Sequence, residues 1–292
     1  MKNLVTTLAT SAALFIGQGA QADDFVVGTK NFTEQFILGE IYAAALESID
    51  IPVERKINLG GTLIAHAALT GGDIDMYPEY TGTALSAVVK GEMSSDAQVV
   101  YDTVKSYYDT ELDLKWLEPA HINNGYAMLV RRETAEKYNL KTLSDLGVAA
   151  PELSIGGGPE FPDRADGLVG LRNVYGAEFR EFRMFAKLGL RYDALAAGQI
   201  DVNNGFATDW QIAAEDYVVM EDDKGLFPPY FVAPVVRKDA LEEFPGAEEM
   251  LNRVSDQLDN DIMRTLNKRV EVGREEARDV AQDFLKSVGI ID

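Results

Sequence analysis

The sequence predicts an α/β protein of two similar lobes with a ligand cleft between them, and three observations predict it. Two stretches 126 residues apart are written alike: LTGGDIDMYPEYTGT (69–83) and LAAGQIDVNNGFATD (195–209), with Leu69/Leu195, Gly72/Gly198, Ile74/Ile200, Asp75/Asp201 and Tyr80/Phe206 in register. Short apolar strands alternate with helical patterns along the chain, as in layered α/β architectures. No Ser/Gly/Pro-rich or low-complexity tract divides it, so two lobes must be joined by short crossing strands. Each copy of the repeat reads as a helix end, a Gly, a strand, then a turn carrying an aromatic. Open α/β sheets place ligands beyond the carboxyl ends of their strands, so two facing copies imply a cleft that closes on a small molecule.

The elements follow in order. FVVGT (25–29) is an apolar strand. Asn31 is expected to cap the next helix with Glu34 completing a capping box, and Ile37, Ile41, Ala44 and Ala45 share one helical face. VERKINL (53–59) is a second strand, Gly60-Gly61-Thr62 opens a second helix, and IDMY (74–77) is a third strand. Residues 97–108 read as helix, WLEPA (116–120) as extended and GYAMLVRR (125–132) as a strong strand crossing to the second lobe. LSIGG (153–157), helices over 164–175 and 191–197, and IDVNN (200–204) repeat the strand–helix logic. YVVM (217–220) and YFVAPVVRK (230–238) return the chain, with hinges expected near 124–131 and 219–236. Ala277, Val280, Ala281, Phe284, Leu285 and Val288 form the apolar stripe of a last helix, expected on lobe one. The expected boundaries are 23–125 plus 231–292 for lobe one and 126–230 for lobe two.

Lys2, the apolar run Leu4–Ile16 and Ala20-Gln21-Ala22 read as a secretory signal peptide cleaved after Ala22, a run too short to span a membrane. The chain holds no Cys, so no lipidated Cys and no disulfide are available, and a freely diffusing periplasmic protein is expected. Without Lys2 the chain keeps 26 basic against 48 acidic residues, net −22. That balance argues against nucleic acid or an anionic membrane surface as partner.

No nucleophile elbow, phosphate loop, zinc-protease motif or EF-hand loop occurs. With two histidines, His66 and His121, and no Cys, a His-rich or thiolate metal site is excluded, though a carboxylate site is not. Asp73/Asp75 and Asp222/Asp223 are paired acids but read more simply as caps and turns. The expectation is no enzyme, no cofactor and no metal.

The segments GTKNFTEQFILGE (28–40), LGGTLIAHAALTGGDIDMYPEYTGT (59–83), PEFPDRADGL (159–168), EDDKGLFPPY (221–230) and DIMRTLNKRV (261–270) resemble the quaternary-ammonium-binding proteins of ABC importers, the glycine betaine/carnitine/choline receptors of osmoprotectant uptake. The resemblance runs from about residue 24 to the C-terminus in the family's motif order. It implies the two-crossover (type II) periplasmic binding protein fold, a monomer and an inner-membrane permease as partner. It also implies an aromatic box for the trimethylammonium, here Tyr80, Tyr126, Phe206 and Tyr230, and a carboxylate clamp, here Lys30, Thr83 and Arg164. Asn124 stands where some relatives carry Asp, and Phe206 where some carry Tyr; both departures bear on ligand choice.

The chemistry fits. A quaternary ammonium has no N–H, so it is recognised by aromatic faces, each contributing about 0.5–2 kcal/mol when desolvated. Several rings supply much of the roughly 8 kcal/mol behind micromolar affinity. Arg164 offers a planar fork and Lys30 a point charge to a carboxylate. Buried cations left facing no anion are costly, so their joint presence argues for a zwitterion bound more tightly than choline. Glycine betaine, proline betaine, carnitine and ergothioneine qualify; choline and a polar amino acid are the alternatives. Two other functions remain open on sequence alone, a secreted hydrolase and a ligand sensor acting through a membrane partner.

Overall fold

A computed structural model describes residues 24–292; the signal peptide and its cleavage after Ala22 lie outside the described residues. The first sheet has the order β2-β1-β3-β10-β4 and the second β7-β6-β8-β5-β9. The first contains β1 (Phe25–Lys30), β2 (Val53–Gly60), β3 (Met76–Tyr80) and β4 (Leu114–Trp116), joined by α1 (Thr33–Glu47), α2 (Thr62–Gly71), α3 (Thr81–Ala84) and α4 (Ala97–Glu111). The chain then leaves it. The second sheet is built from β5 (Tyr126–Arg131), β6 (Ser154–Gly157), β7 (Glu181–Met184), β8 (Val202–Phe206) and β9 (Tyr217–Val219). Its helices are α5 (Arg132–Tyr138), α6 (Leu143–Ala149), α7 (Leu168–Tyr175), α8 (Leu188–Ala196) and α9 (Trp210–Ala214). β10 (Val232–Arg237) returns to the first sheet, followed by α10 (Lys238–Glu243), α11 (Ala247–Ser255), α12 (Asn260–Glu271) and α13 (Ala277–Ser287).

Each sheet is therefore a parallel trio, an antiparallel strand inserted at the crossing, and a fifth strand, β4 or β9, at the edge beside it. β1 pairs in parallel with β2 and β3, and β10 runs antiparallel to β3. β6 pairs in parallel with β7 and β8, and β5 runs antiparallel to β8. Helices cover both faces of both sheets, giving four apolar clusters. Strands buried on both faces tend to be continuous apolar runs; β3 departs from this, with all five residues buried and Glu79 among them paired to Lys30.

The repeat is structural. Asp75 Oδ2 accepts from Val26 N and Asp201 Oδ2 from Ser154 N, both at 2.8 Å, so each acid pins the start of its strand to the parallel neighbour, β1 or β6. Gly72 and Gly198 both adopt left-handed φ, 79° and 66°, which Gly takes without a Cβ penalty. Ile74 and Ile200 lie under Gly28 and Gly156, where any Cβ would collide with the isoleucine. Arg237, ending β10, lies 3.9 Å from Asp75, and Arg131, ending β5, lies 3.9 Å from Asp201.

Central prolines are unusual in sheets, yet Pro78 in β3 sits opposite Pro234 in β10. A non-hydrogen-bonded antiparallel pair points its backbone groups outward, so no ladder bond between the two strands is lost. Pro78 O accepts from Gln35 Nε2 at 2.9 Å, and Pro234 O from Leu117 N at 3.0 Å.

The two crossings run side by side over 117–125 and 220–231. Asn124 N donates to Tyr230 O at 3.0 Å, and Tyr230 N to Asn123 Oδ1 at 2.8 Å. The expected hinge ranges overlap these crossings but also include residues of β5 and β10 that are held within the sheets. α13 packs through Val280, Ala281, Phe284 and Leu285 into the cluster that holds Ile37, Leu38 and Ile41, on lobe one as expected.

Two local expectations are corrected. The Asn31–Glu34 capping box does not form: Phe32 is the N-cap of α1 with no side-chain cap, and Glu34 turns into a buried polar cluster. The helix expected from 164 starts at Leu168 after N-cap Gly167, because the segment carrying Pro159 and Pro162 forms turns instead. Arg164 consequently sits in a turn and not at a helix start.

Candidate ligand cleft between the two sheets

Lys30, Tyr80, Thr83, Asn124, Tyr126, Arg164, Phe206 and Tyr230 all line one cavity of ≈ 130 Å³. A cavity on the order of 150 Å³ holds benzene, so this one suits a small metabolite. The first sheet brings Lys30 at the end of β1 and Tyr80 at the end of β3. The second brings Tyr126 and Phe206, opposite each other in the β5–β8 register. Asn124 and Tyr230 come from the two crossings.

The rings form a connected wall. Tyr126 lies 5.4 Å from Phe206 and 5.6 Å from Tyr230 between ring centroids. Tyr80 joins them through Phe32, which stacks 6.3 Å from Tyr80 and 6.3 Å from Phe206. Two hydroxyls are anchored on acids, Tyr80 to Glu34 and Tyr230 to Asp166, each at 2.6 Å. Anchoring the polar tip fixes the ring face toward the cavity. Sequence reading missed Phe32, Phe161 and Phe185, which also line it.

The clamp residues are present but not unpaired. Lys30 Nζ lies 2.6 Å from Glu79, is 3% exposed and sits 4.6 Å from the Tyr80 ring centroid. Burial pushes the Lys30 ammonium below its ordinary value, against the pull of Glu79. Arg164 grips Asp166 through Nε at 2.7 Å and through Nη2, and Nη2 also reaches Ser86 Oγ at 2.9 Å. The premise that Lys30 and Arg164 face no anion is thereby corrected: each has an internal carboxylate, 49 residues away in sequence for Lys30 and two for Arg164.

Asn124 uses both ends of its amide. Nδ2 donates to Glu34 Oε1 at 2.9 Å, and Oδ1 accepts from Thr208 N at 3.1 Å. An acid is thus beside this position after all, supplied by Glu34. Burial raises the Glu34 carboxyl, opposed by hydrogen bonds from Thr208, Tyr80, Asn267 and Asn124.

A third cation was not read from the sequence. Arg191 on α8 is 1% exposed, lines the cavity and lies 5.5 Å from the Phe206 ring centroid. Its Nη1 donates to Asn204 Oδ1 at 2.8 Å, whereas Nε and Nη2 have no partner among the described residues. The signals were available. Arg191 shares a helix face with Ala194 and Leu195, and Asn204 shares a strand face with Phe206.

Among the described residues no group of three or more His, Asp or Glu side chains is arranged to hold a metal ion, and no helix is long and apolar enough to cross a membrane.

The family model for the substrate-binding domain of the ABC-type glycine betaine transport system matches residues 23–287. The chain belongs to this family. As a substrate-binding domain, it is a binding protein and not an enzyme. It is 34% identical to a glycine-betaine-binding protein of Pseudomonas aeruginosa over 304 aligned positions, spanning all of this chain and 97% of that one. It is 35% identical to an ergothioneine transport permease/ergothioneine binding protein of Helicobacter pylori, over 98% of this chain but 52% of that protein, so this domain spans about half of that relative's length. A crystal structure described as a glycine betaine/carnitine/choline ABC transporter superposes with a TM-score of 0.74 at 30% identity, covering 92% of this chain and 100% of that one. The two-lobed periplasmic binding fold expected from the sequence is the fold observed.

Proposed function

We propose that this domain is the extracytoplasmic receptor of an ABC importer, that it encloses a small quaternary-ammonium compound between its lobes, and that it hands the compound to a membrane permease. One observation carries the reading: Tyr80 and Phe32 from the first lobe and Tyr126 and Phe206 from the second converge with Tyr230 on a single cavity. Aromatic faces attract a cation that has no N–H to donate. The lobes are assigned as 23–125 plus 231–292 and 126–230. Tyr80, Tyr126, Phe206 and Tyr230 form the cage, extended by Phe32. Lys30, Thr83 and Arg164 form a polar wall whose charges are already balanced, and Asn124 ties the cage to Glu34. The protein works as a periplasmic monomer with no nucleic-acid partner.

A thermal-shift screen of the purified protein with glycine betaine, carnitine, ergothioneine and choline tests this. A ligand at 100 times its Kd adds about 2.7 kcal/mol to the folded state, a clear rise in Tm. No shift with any of the four would overturn the reading.

A further inference from the structure

The charge balance of the cleft is uneven, and the imbalance has an address. Lys30 and Arg164 each meet a carboxylate. Arg191 is equally buried, yet its direct partner is the neutral amide of Asn204, and no carboxylate lies within ion-pair distance among the described residues. Asp209 balances part of its field from beyond ion-pair distance, and its Oδ2 accepts from the Tyr192 hydroxyl at 2.7 Å and from Phe206 N at 2.8 Å. The Asn204 Nδ2 is also buried without a partner. Two guanidinium donors and one amide donor are therefore unspent at one corner of a ligand-sized cavity. A buried cation without an anion is costly unless something supplies one.

We propose that Arg191 and Asn204 form an acceptor-binding corner of the cleft, separate from the Lys30–Thr83–Arg164 wall, and that the ligand places an anionic or strongly polarised acceptor there. This rests on the quaternary-ammonium reading above. The acceptor is either the ligand's only carboxylate, as in glycine betaine, or a second polar group farther along a longer ligand, such as carnitine or ergothioneine. The planar fork of Arg191 suits a carboxylate, and the Phe206 ring packed beneath it holds the guanidinium in place while offering its other contacts to the cage.

The test is calorimetric titration of the wild type, Arg191→Met, Arg191→Lys and Asn204→Asp with glycine betaine, carnitine, ergothioneine and choline. Arg191→Met is expected to weaken the acceptor-bearing ligand by roughly thirtyfold or more, while choline, which has no carboxylate to place there, changes less than about threefold. Loss for glycine betaine identifies the sole carboxylate; loss confined to carnitine or ergothioneine identifies the second group. Arg191→Lys, which keeps the charge without the fork, should fall between wild type and Arg191→Met. Asn204→Asp is the decisive variant, because it keeps the guanidinium and gives it an internal anion. It should weaken the same ligands as Arg191→Met and raise the Tm of the ligand-free protein. Arg191 as a purely structural residue predicts the Tm rise alone, without a loss confined to the acceptor-bearing ligands.

Affinities unchanged by Arg191→Met, or lowered equally for all four ligands, would overturn the proposal. If the wild type binds none of the four, the quaternary-ammonium reading fails separately. The corner is then judged with 3,3-dimethylbutyrate, the uncharged-carbon analogue of glycine betaine. A Tm rise in wild type that is absent in Arg191→Met supports the corner, and no rise in either overturns it.

Discussion

The Glu34 carboxylate on α1 accepts a hydrogen bond from the Thr208 hydroxyl just beyond β8, so a buried acid of the first lobe is held by the second. The same carboxylate takes the Tyr80 hydroxyl at 2.6 Å, Asn124 Nδ2 at 2.9 Å and Asn267 Nδ2 at 3.3 Å. One 3%-exposed side chain thus joins α1, the end of β3, the first crossing, the second lobe and α12. Glu34→Ala would leave three buried donors, on Tyr80, Asn124 and Thr208, without an acceptor, while Asn267 Nδ2 keeps Thr208 O at 3.2 Å. Each such loss costs about 1–3 kcal/mol, and shared relaxation makes the total about 3–5 kcal/mol. Urea unfolding of the variant measures this; a loss under about 1 kcal/mol, the scale of an ordinary hydrogen bond, would show the cluster to be dispensable.

Tyr80 combines a ring face toward the cavity with a hydroxyl spent on Glu34. Tyr80→Ala removes both and should weaken a quaternary-ammonium ligand by up to about thirtyfold, the equivalent of about 2 kcal/mol for a desolvated cation–π contact. Tyr80→Phe keeps the face and should retain most of the affinity while lowering stability by about 1 kcal/mol for the lost hydrogen bond. Titration and unfolding on both variants separate the two roles. Equal affinity of Tyr80→Ala and wild type would remove Tyr80 from the cage.

Asp209 gives the protein a specific pH response. Burial pushes its carboxyl up to about 6, against hydrogen bonds from Tyr192 and Phe206 and the charge of Arg191, with Glu271 adding to the rise. The folded state therefore holds this proton more tightly than the unfolded chain, whose Asp titrates near ~3.9. The stabilisation is complete only below about pH 4 and is lost as pH rises from there through about 6. The amide introduced by Asp209→Asn cannot titrate, and its oxygen can accept both hydrogen bonds. Stability measured by urea unfolding should therefore shift in favour of Asp209→Asn, relative to wild type, by about 2 kcal/mol between pH 4 and pH 7.5. Other acids titrate in both proteins, so the difference isolates Asp209; parallel pH profiles would refute the assignment.

Much of this architecture was legible because it is written locally. The repeat around Gly72 and Gly198 needs left-handed backbone, an isoleucine and an acid at the strand start, all within a few residues. The aromatics Tyr80, Tyr126, Phe206 and Tyr230 that line the cavity were legible because they follow repeated or family-like motifs. What escaped depends on distance. Lys30 finds Glu79 across 49 residues, and Glu34 finds Thr208 across 174; no local spacing shows that either is taken. Asp166, two residues from Arg164, was the one partner within reach of a sequence argument. Arg191 was passed over because an arginine on a helix is normally solvated, and only its position in line with Ala194 and Leu195 spoke for burial.

Closure of the lobes is open to test as well. The cavity has walls from both lobes, and several bonds span them: Arg164 Nη2 to Ser86 Oγ at 2.9 Å, Trp210 Nε1 to Glu271 at 2.7 Å and Arg264 Nη1 to Ala207 O at 3.1 Å. At Gly61 the first lobe comes so close to the Glu160 carboxylate of the second that any Cβ there would collide. These contacts describe closed lobes, while the paired crossings at 117–125 and 220–231 are the segments able to absorb a hinge rotation. A ligand touching both lobes favours the closed state by its differential affinity. Small-angle scattering should therefore show a smaller radius of gyration with saturating ligand than without. Ser86→Ala removes one bond of the closed state while Asp166 still satisfies Arg164. It should weaken ligand binding by a few-fold, matching the net worth of one hydrogen bond at about 0.5–1.5 kcal/mol. An unchanged radius together with unchanged affinity in Ser86→Ala would mean that the lobes are already fixed as seen and that closure contributes nothing to binding.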